Sequence, residues 1–215
     1  MASTNQLSVL FLGHSYARRA RDHRIEKRQS PYFIPLGNTI LNFTYIFKGG
    51  QNYHFFYNDT NIRKRIESCT PDIILIALAG NAVSKKSFRY PMPTAQADMR
   101  IFHEWLTLTF PNAKIIPIEA EPRFNPHCEL PPDHDPLTES YRNRRRTMNN
   151  AIQRMRGKHA TVLLYNIFQD RSLFIPYECH GRCKYVHLNF KGYEIYWDLI
   201  LNCLHHNLIK WNLIK

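Results

Sequence analysis

No stretch of this 215-residue chain reaches the about 18 consecutive apolar residues of a membrane-crossing helix, so no transmembrane segment is expected. It has no internal repeat, Gly/Ser tract or low-complexity block, which excludes solenoids and long flexible linkers. The first residues, Met1 to Gln6, lack the basic segment of a signal peptide. Cysteine is scarce and odd in number. Five scattered thiols make no disulfide framework and favour an intracellular setting, cytoplasmic or nuclear. Acid is short as well: 17 Asp and Glu stand against 29 Lys and Arg, a net charge of +12 with eleven histidines besides. Such a surplus attracts polyanions, meaning RNA or DNA or an anionic membrane surface, although a basic surface also simply keeps a chain in solution.

The length suits a single domain, residues 1–215, with one full core. Five short apolar runs read as strands: Leu7 to Leu12, Leu41 to Phe47, Asp72 to Leu78, Ala113 to Ile118 and Thr161 to Tyr165. Between and after them lie helical stretches: Ala17 to Arg28, Asn61 to Ser68, Ala95 to Phe110, Leu137 to Arg156 and Tyr193 to Ile209. Glu119 to Pro136, with five prolines, reads as irregular, and so does the segment ending at Val186. Strands alternating with helices argue for a parallel sheet covered on both faces, and ligands of such sheets collect beyond the carboxyl ends of the strands.

Three strand ends carry polar punctuation: Gly13-His14-Ser15 after the first, Gly49-Gly50 after the second, Gly80-Asn81 after the third. Strand, glycine, serine, helix is an order that lifts a hydroxyl out of a sheet edge. The helix start behind it offers unpaired N–H groups to a developing oxyanion. Taken alone, Ser15 reads first as a helix cap, and only the rest of the chain shifts the balance. A hydrolytic serine also needs a base, and His187, in Tyr185-Val186-His187-Leu188-Asn189 ahead of the last helix, is the candidate.

These blocks, in this order, resemble the SGNH (GDSL-type) hydrolase superfamily. Gly13-His14-Ser15 is similar to its nucleophile block, with His14 where many members have Asp. Gly49 or Gly50 resembles its glycine block, Gly80-Asn81 its asparagine block, and His187-Leu188-Asn189 with Gly192 its histidine block. The resemblance implies a three-layer α/β/α, flavodoxin-like domain with five parallel strands in the order 2-1-3-4-5. It implies a serine esterase acting on small acyl (acetyl-type) esters without a cofactor or metal. Ser15 is then the nucleophile, His187 the base, and the oxyanion hole is the Ser15 N–H, a Gly50 (or Gly49) N–H and the Asn81 amide.

One position departs from the pattern. The family commonly has Asp three residues before the histidine, where this chain has Lys184. Glu178, Asp170 or a backbone carbonyl are the substitutes considered, and a bare Ser–His pair is a further one. Some superfamily members are non-catalytic and bind RNA through basic surface. The Gly-His-Ser block with the basic character also resembles esterase-like domains encoded by animal non-LTR retrotransposons. The alternative function is therefore nucleic-acid binding through Arg18 and Arg19 in one basic stretch and Arg144 and Arg145 in another. The esterase reading takes precedence because a pure binding module has no need of Ser15, Asn81 and His187 together. Cys179, His180 and Cys183, with Cys128 or His127, offer a zinc site, but the loose spacing favours free thiols.

Overall fold

The computed structural model describes residues 5–84, 90–121, 136–156, 160–164, 171–179 and 182–214; at residues 84, 136–139, 171, 176–179 and 182–186 it describes the backbone alone. The first strand, β1 (Asn5–Gly13), passes directly into α1 (Ser15–Glu26). An edge strand β2 (Phe33–Leu36) turns back into β3 (Thr39–Phe47), followed by two short helices, α2 (Tyr53–Asn58) and α3 (Thr60–Glu67). Next come β4 (Ile73–Ala77), α4 (Ala79–Ser84), α5 (Met92–Thr109), β5 (Lys114–Pro117) and α6 (Pro136–Arg156). A hairpin of β6 (Phe174–Cys179) and β7 (Arg182–Leu188) leads into α7 (Phe190–Lys210).

The central sheet has five strands in the order β2-β3-β1-β4-β5. Strands β3, β1, β4 and β5 run parallel, as expected, and β2 pairs antiparallel with β3 at one edge. Period-two side-chain alternation splits each central strand between two cores. Leu7, Val9 and Phe11 of β1 and Ile73, Leu75 and Ala77 of β4 face one core, which α1 and α7 cover. Leu10, Leu12, Ile74 and Ile76 face the other, covered by α2, α3, α5 and α6. With both faces buried, these strands read as continuous apolar runs in the sequence. The layers are helices, sheet, helices.

One expectation about the strands needs correction. Thr161 to Tyr165 is not a full fifth parallel strand: among the described residues it reduces to one parallel bridge between Ile118 and Val162. Pro117 has no N–H to extend a ladder, and the Leu164 N–H goes to the buried Glu119 carboxylate (2.8 Å) instead of to a strand carbonyl. The sheet regains its fifth strand at the other edge. There Leu36 and Thr39 close a two-residue turn whose Gly37 has φ +60°, a conformation natural to glycine. Pro35 is tolerated within β2 because the strand has a free edge.

Candidate active site

Strand register gathers the site. Gly13, the last residue of β1, pairs with Phe47 on β3 and with Ala77 on β4. The Lys48 N–H donates to the Gly13 carbonyl and the His14 N–H to that of Ala77. All three strands thus end at one level, and the residues just beyond them share one sheet edge. Gly13 is fixed by space: a Cβ there would lie 2.3 Å from the Ala17 Cβ, so only glycine lets α1 start so close to the strand.

Ser15 is the first residue of α1, partly accessible, and His14 is the N-cap. His14 is fully buried, and its Nδ1 accepts from the Tyr16 N–H at 3.3 Å. A ring nitrogen that accepts carries no hydrogen, so the hydrogen sits on Nε2. That nitrogen faces Glu121 Oε2 at 3.4 Å, and the carboxylate is 1 % exposed. The Tyr141 hydroxyl donates to the Glu121 carbonyl at 2.6 Å, which ties this segment to α6. Gly80 lies against the same pair. A Cβ there would sit 2.0 Å from Glu121 Oε2 and 3.2 Å from His14 Nε2.

At the end of β3 the chain turns through Gly49 and Gly50, and only Gly50 has positive φ, at +72°. The left-handed φ at Gly50 helps set the direction of its N–H. The Asn81 side-chain amide, nearly buried at the start of α4, donates to the Gln51 carbonyl at 2.9 Å. Glycine turn and asparagine are therefore joined. Asn52, next along, caps α2 by accepting from the Phe55 N–H.

His187 is the last residue but one of β7 and its ring lies 5.5 Å from the Tyr16 ring, centroid to centroid, which puts it beside the residue after Ser15. The hairpin is held by α7, whose cap Asn189 accepts from the Gly192 N–H and donates to the Ser172 carbonyl. Gly192 leaves room for the Leu173 carbonyl, 2.5 Å from where its Cβ would be. Ser15, Gly50, Asn81 and His187 thus meet at one end of the sheet. Asp170, one candidate to support His187, lies outside the described residues, and Glu178 and Lys184 are described in backbone alone, paired with Cys183 and Tyr177. The proposed zinc ligands at positions 127, 128 and 180 lie outside as well.

The two basic stretches do not come together. Arg144 and Arg145 are 9 % and 8 % exposed, against the expectation that they form an open surface. Arg144 donates to the carbonyls of Val83 (2.9 Å) and Tyr90 (3.0 Å), so its guanidinium caps backbone rather than facing solvent. In addition, α6 packs in one core and α1 in the other, on opposite faces of the sheet. Arg18 and Arg19 are exposed on α1.

Sequence reasoning did not find Glu121. Its signal was the alternation Glu119-Ala120-Glu121 after an apolar strand, two carboxylates placed where the sheet ends. Both are buried. Glu119 accepts from the Gln153 amide and the Leu164 N–H, a structural tie, whereas Glu121 turns to His14.

The fold is that of the SGNH (GDSL-type) esterases and lipases. Among solved structures similar to the chain is an acetyl xylan esterase, AlAXEase, at TM-score 0.60 and 12 % identity over 91 % of this chain and 98 % of that one. Others are phospholipase A1 from Streptomyces albidoflavus NA297 (0.59, 13 %, 90 % and 98 %) and esterase EstA from Pseudoalteromonas sp. (0.55, 14 %, 96 % and 99 %). No protein-family model matches the chain, and no curated protein matches it in sequence.

Proposed function

We propose that the protein is a serine ester hydrolase acting on small acyl esters, acetyl esters among them. The observation that carries this reading is the common level of β1, β3 and β4 at Gly13, with His187 against Tyr16. The Ser15 hydroxyl oxygen attacks the ester carbonyl carbon as His187 takes the hydroxyl proton. The carbonyl oxygen, now negative, meets the N–H groups of Ser15 and Gly50 and the Asn81 amide, donors already oriented before the reaction. The tetrahedral centre collapses, the C–O bond to the alcohol breaks, and His187 returns the proton to the leaving oxygen. Water, deprotonated by the same imidazole, then releases the acid from acyl-Ser15. With a cation at position 184, His187 gains no charge support from that residue, and turnover below that of a complete triad follows. Hydrolysis of 4-nitrophenyl acetate tests the reading: Ser15→Ala should lower kcat/KM at least about a thousandfold. Equal rates in the two proteins would remove Ser15 as nucleophile.

The His14 form of the nucleophile block supports the narrower kinship with esterase-like domains of animal non-LTR retrotransposons. Nucleic-acid association is supported by the surplus of twelve positive charges, with Arg18 and Arg19 on the exposed face of α1. Filter binding to single-stranded RNA at two salt concentrations tests it, since neutralised phosphates make affinity fall steeply with salt. No retention at low salt would exclude it.

A further inference from the structure

A cavity of about 240 Å³ opens between α1 and the start of α7, one helical turn from Ser15. Ser15, Arg18, Arg19 and Asp22 are spaced i, i+3, i+4 and i+7, so they share one face of α1. The cavity walls include Arg18, Arg19, His23, Phe190 and Tyr193. Two polar groups there are buried without a hydrogen-bond partner among the described residues: both ring nitrogens of His23, a residue only 4 % exposed, and the hydroxyl of Tyr193. Buried donors and acceptors left unmade are costly, and native proteins seldom keep two side by side unless something else satisfies them. His23 lies over the Phe190 ring at 4.3 Å, and burial, then the charge of Lys27, lowers its pKa. Its imidazole is therefore neutral at pH 7, with one donor and one acceptor to offer.

The charge on the walls is graded along the helix. Arg18 and Arg19, nearest Ser15, have no ion-pair partner among the described residues. Asp22 is already taken by Arg21, at 2.6 Å, and Glu26 sits a further turn away at the exposed end. The end next to the nucleophile is thus cationic, with Leu188 and Ile175 adding an apolar wall. The volume falls below the about 300–1,000 Å³ of pockets that enclose whole small-molecule ligands, so it has room for one headgroup.

We infer that this cavity is a subsite for an anionic group, a phosphate or carboxylate, carried by the ester that Ser15 cleaves. Arg18 and Arg19 hold the anion oxygens, the Tyr193 hydroxyl donates to one of them, and His23 takes a neighbouring hydroxyl or oxygen. The α-helical rise of about 1.5 Å per residue sets the anion roughly 5–6 Å along α1 from the reacting serine. This inference rests on the esterase reading for its substrate, and on the cavity alone for its ligand. A nucleic acid would need an extended track, whereas this cavity is confined to about two turns of α1 beside an apolar wall, which suits a small molecule.

The test uses phenyl phosphate and phenylacetate as probes, titrated into wild type, Ser15→Ala, Arg18→Gln/Arg19→Gln and Tyr193→Phe, with binding followed calorimetrically. Thermal melting checks that each variant folds. Saturable binding to wild type and to Ser15→Ala, weakened at least tenfold by the double substitution and also by Tyr193→Phe, is the expected result. The probe bound more tightly tells phosphate from carboxylate. Lack of saturable binding of either probe, or equal affinity in the double variant, overturns the subsite. Saturable binding by a wild-type protein that itself turns over no aryl ester would sink the esterase reading and keep the subsite's anion chemistry.

Discussion

At the scale of single residues, the interior holds a histidine that the proposed reaction does not use. His103 on α5 is completely buried, both its ring nitrogens lack a hydrogen-bond partner among the described residues, and burial, with the charge of Arg156, pushes its pKa down to about 3. Between pH 6.5 and about 3 the unfolded chain binds a proton at this residue that the folded chain does not. The stability it supports is complete above pH 6.5 and is lost as pH falls. By pH 5 about 2 kcal/mol should be gone on this account. Urea denaturation at pH 7 and pH 5 measures the loss, and His103→Leu should lose correspondingly less between the two. Identical losses in both proteins would contradict the assignment. His14 differs from His103 in having work to do: its two nitrogens serve a helix cap and face a carboxylate.

At the scale of elements, what was legible followed from burial. Strands β1, β3 and β4 stand out as apolar runs because both faces of each are covered, and the glycines after them mark the sheet edge where Ser15, Gly50 and Asn81 gather. Helices α5, α6 and α7 were legible from their length and apolar spacing. The short elements escaped. Helices α2 and α4 have six residues each, too few for a 3.6-residue period to show, and β2 carries a proline. The β6–β7 hairpin was hidden by its polar residues, Glu178, Arg182 and Lys184, among the strand formers. Burial of Arg144 could not be read from a run of three arginines, because the carbonyls that accept from it, on Val83 and Tyr90, are distant in sequence. Helix α4 gives a test of how the site is assembled. Gly80→Ala would push a methyl onto the Glu121 carboxylate and toward His14, at a cost of about 1–3 kcal/mol in overpacking. The same substitution in a Glu121→Ala background should cost markedly less, measured as a double-mutant cycle by denaturation. Equal costs in the two backgrounds would show that Glu121 is not what closes the space at Gly80.

At the scale of the whole molecule, one sheet edge concentrates the chemistry while the two helical layers keep the basic stretches apart. The indole of Trp197 on α7 donates to the Ala20 carbonyl on α1 at 2.7 Å, locking together, within one layer, the helix that starts at Ser15 and the helix that follows His187. Ser15, at the start of α1, and His187, just ahead of α7, are therefore held by one packed pair of helices. The central claim is that Ser15 is an activated nucleophile at this edge. Its most direct measurement is covalent labelling of the intact protein with an aryl phosphonate, followed by mass and peptide mapping. The account predicts one phosphonyl group per chain, on Ser15, formed far more slowly in His187→Ala. An unlabelled protein, or an adduct on any other residue with Ser15 unmodified, would contradict it.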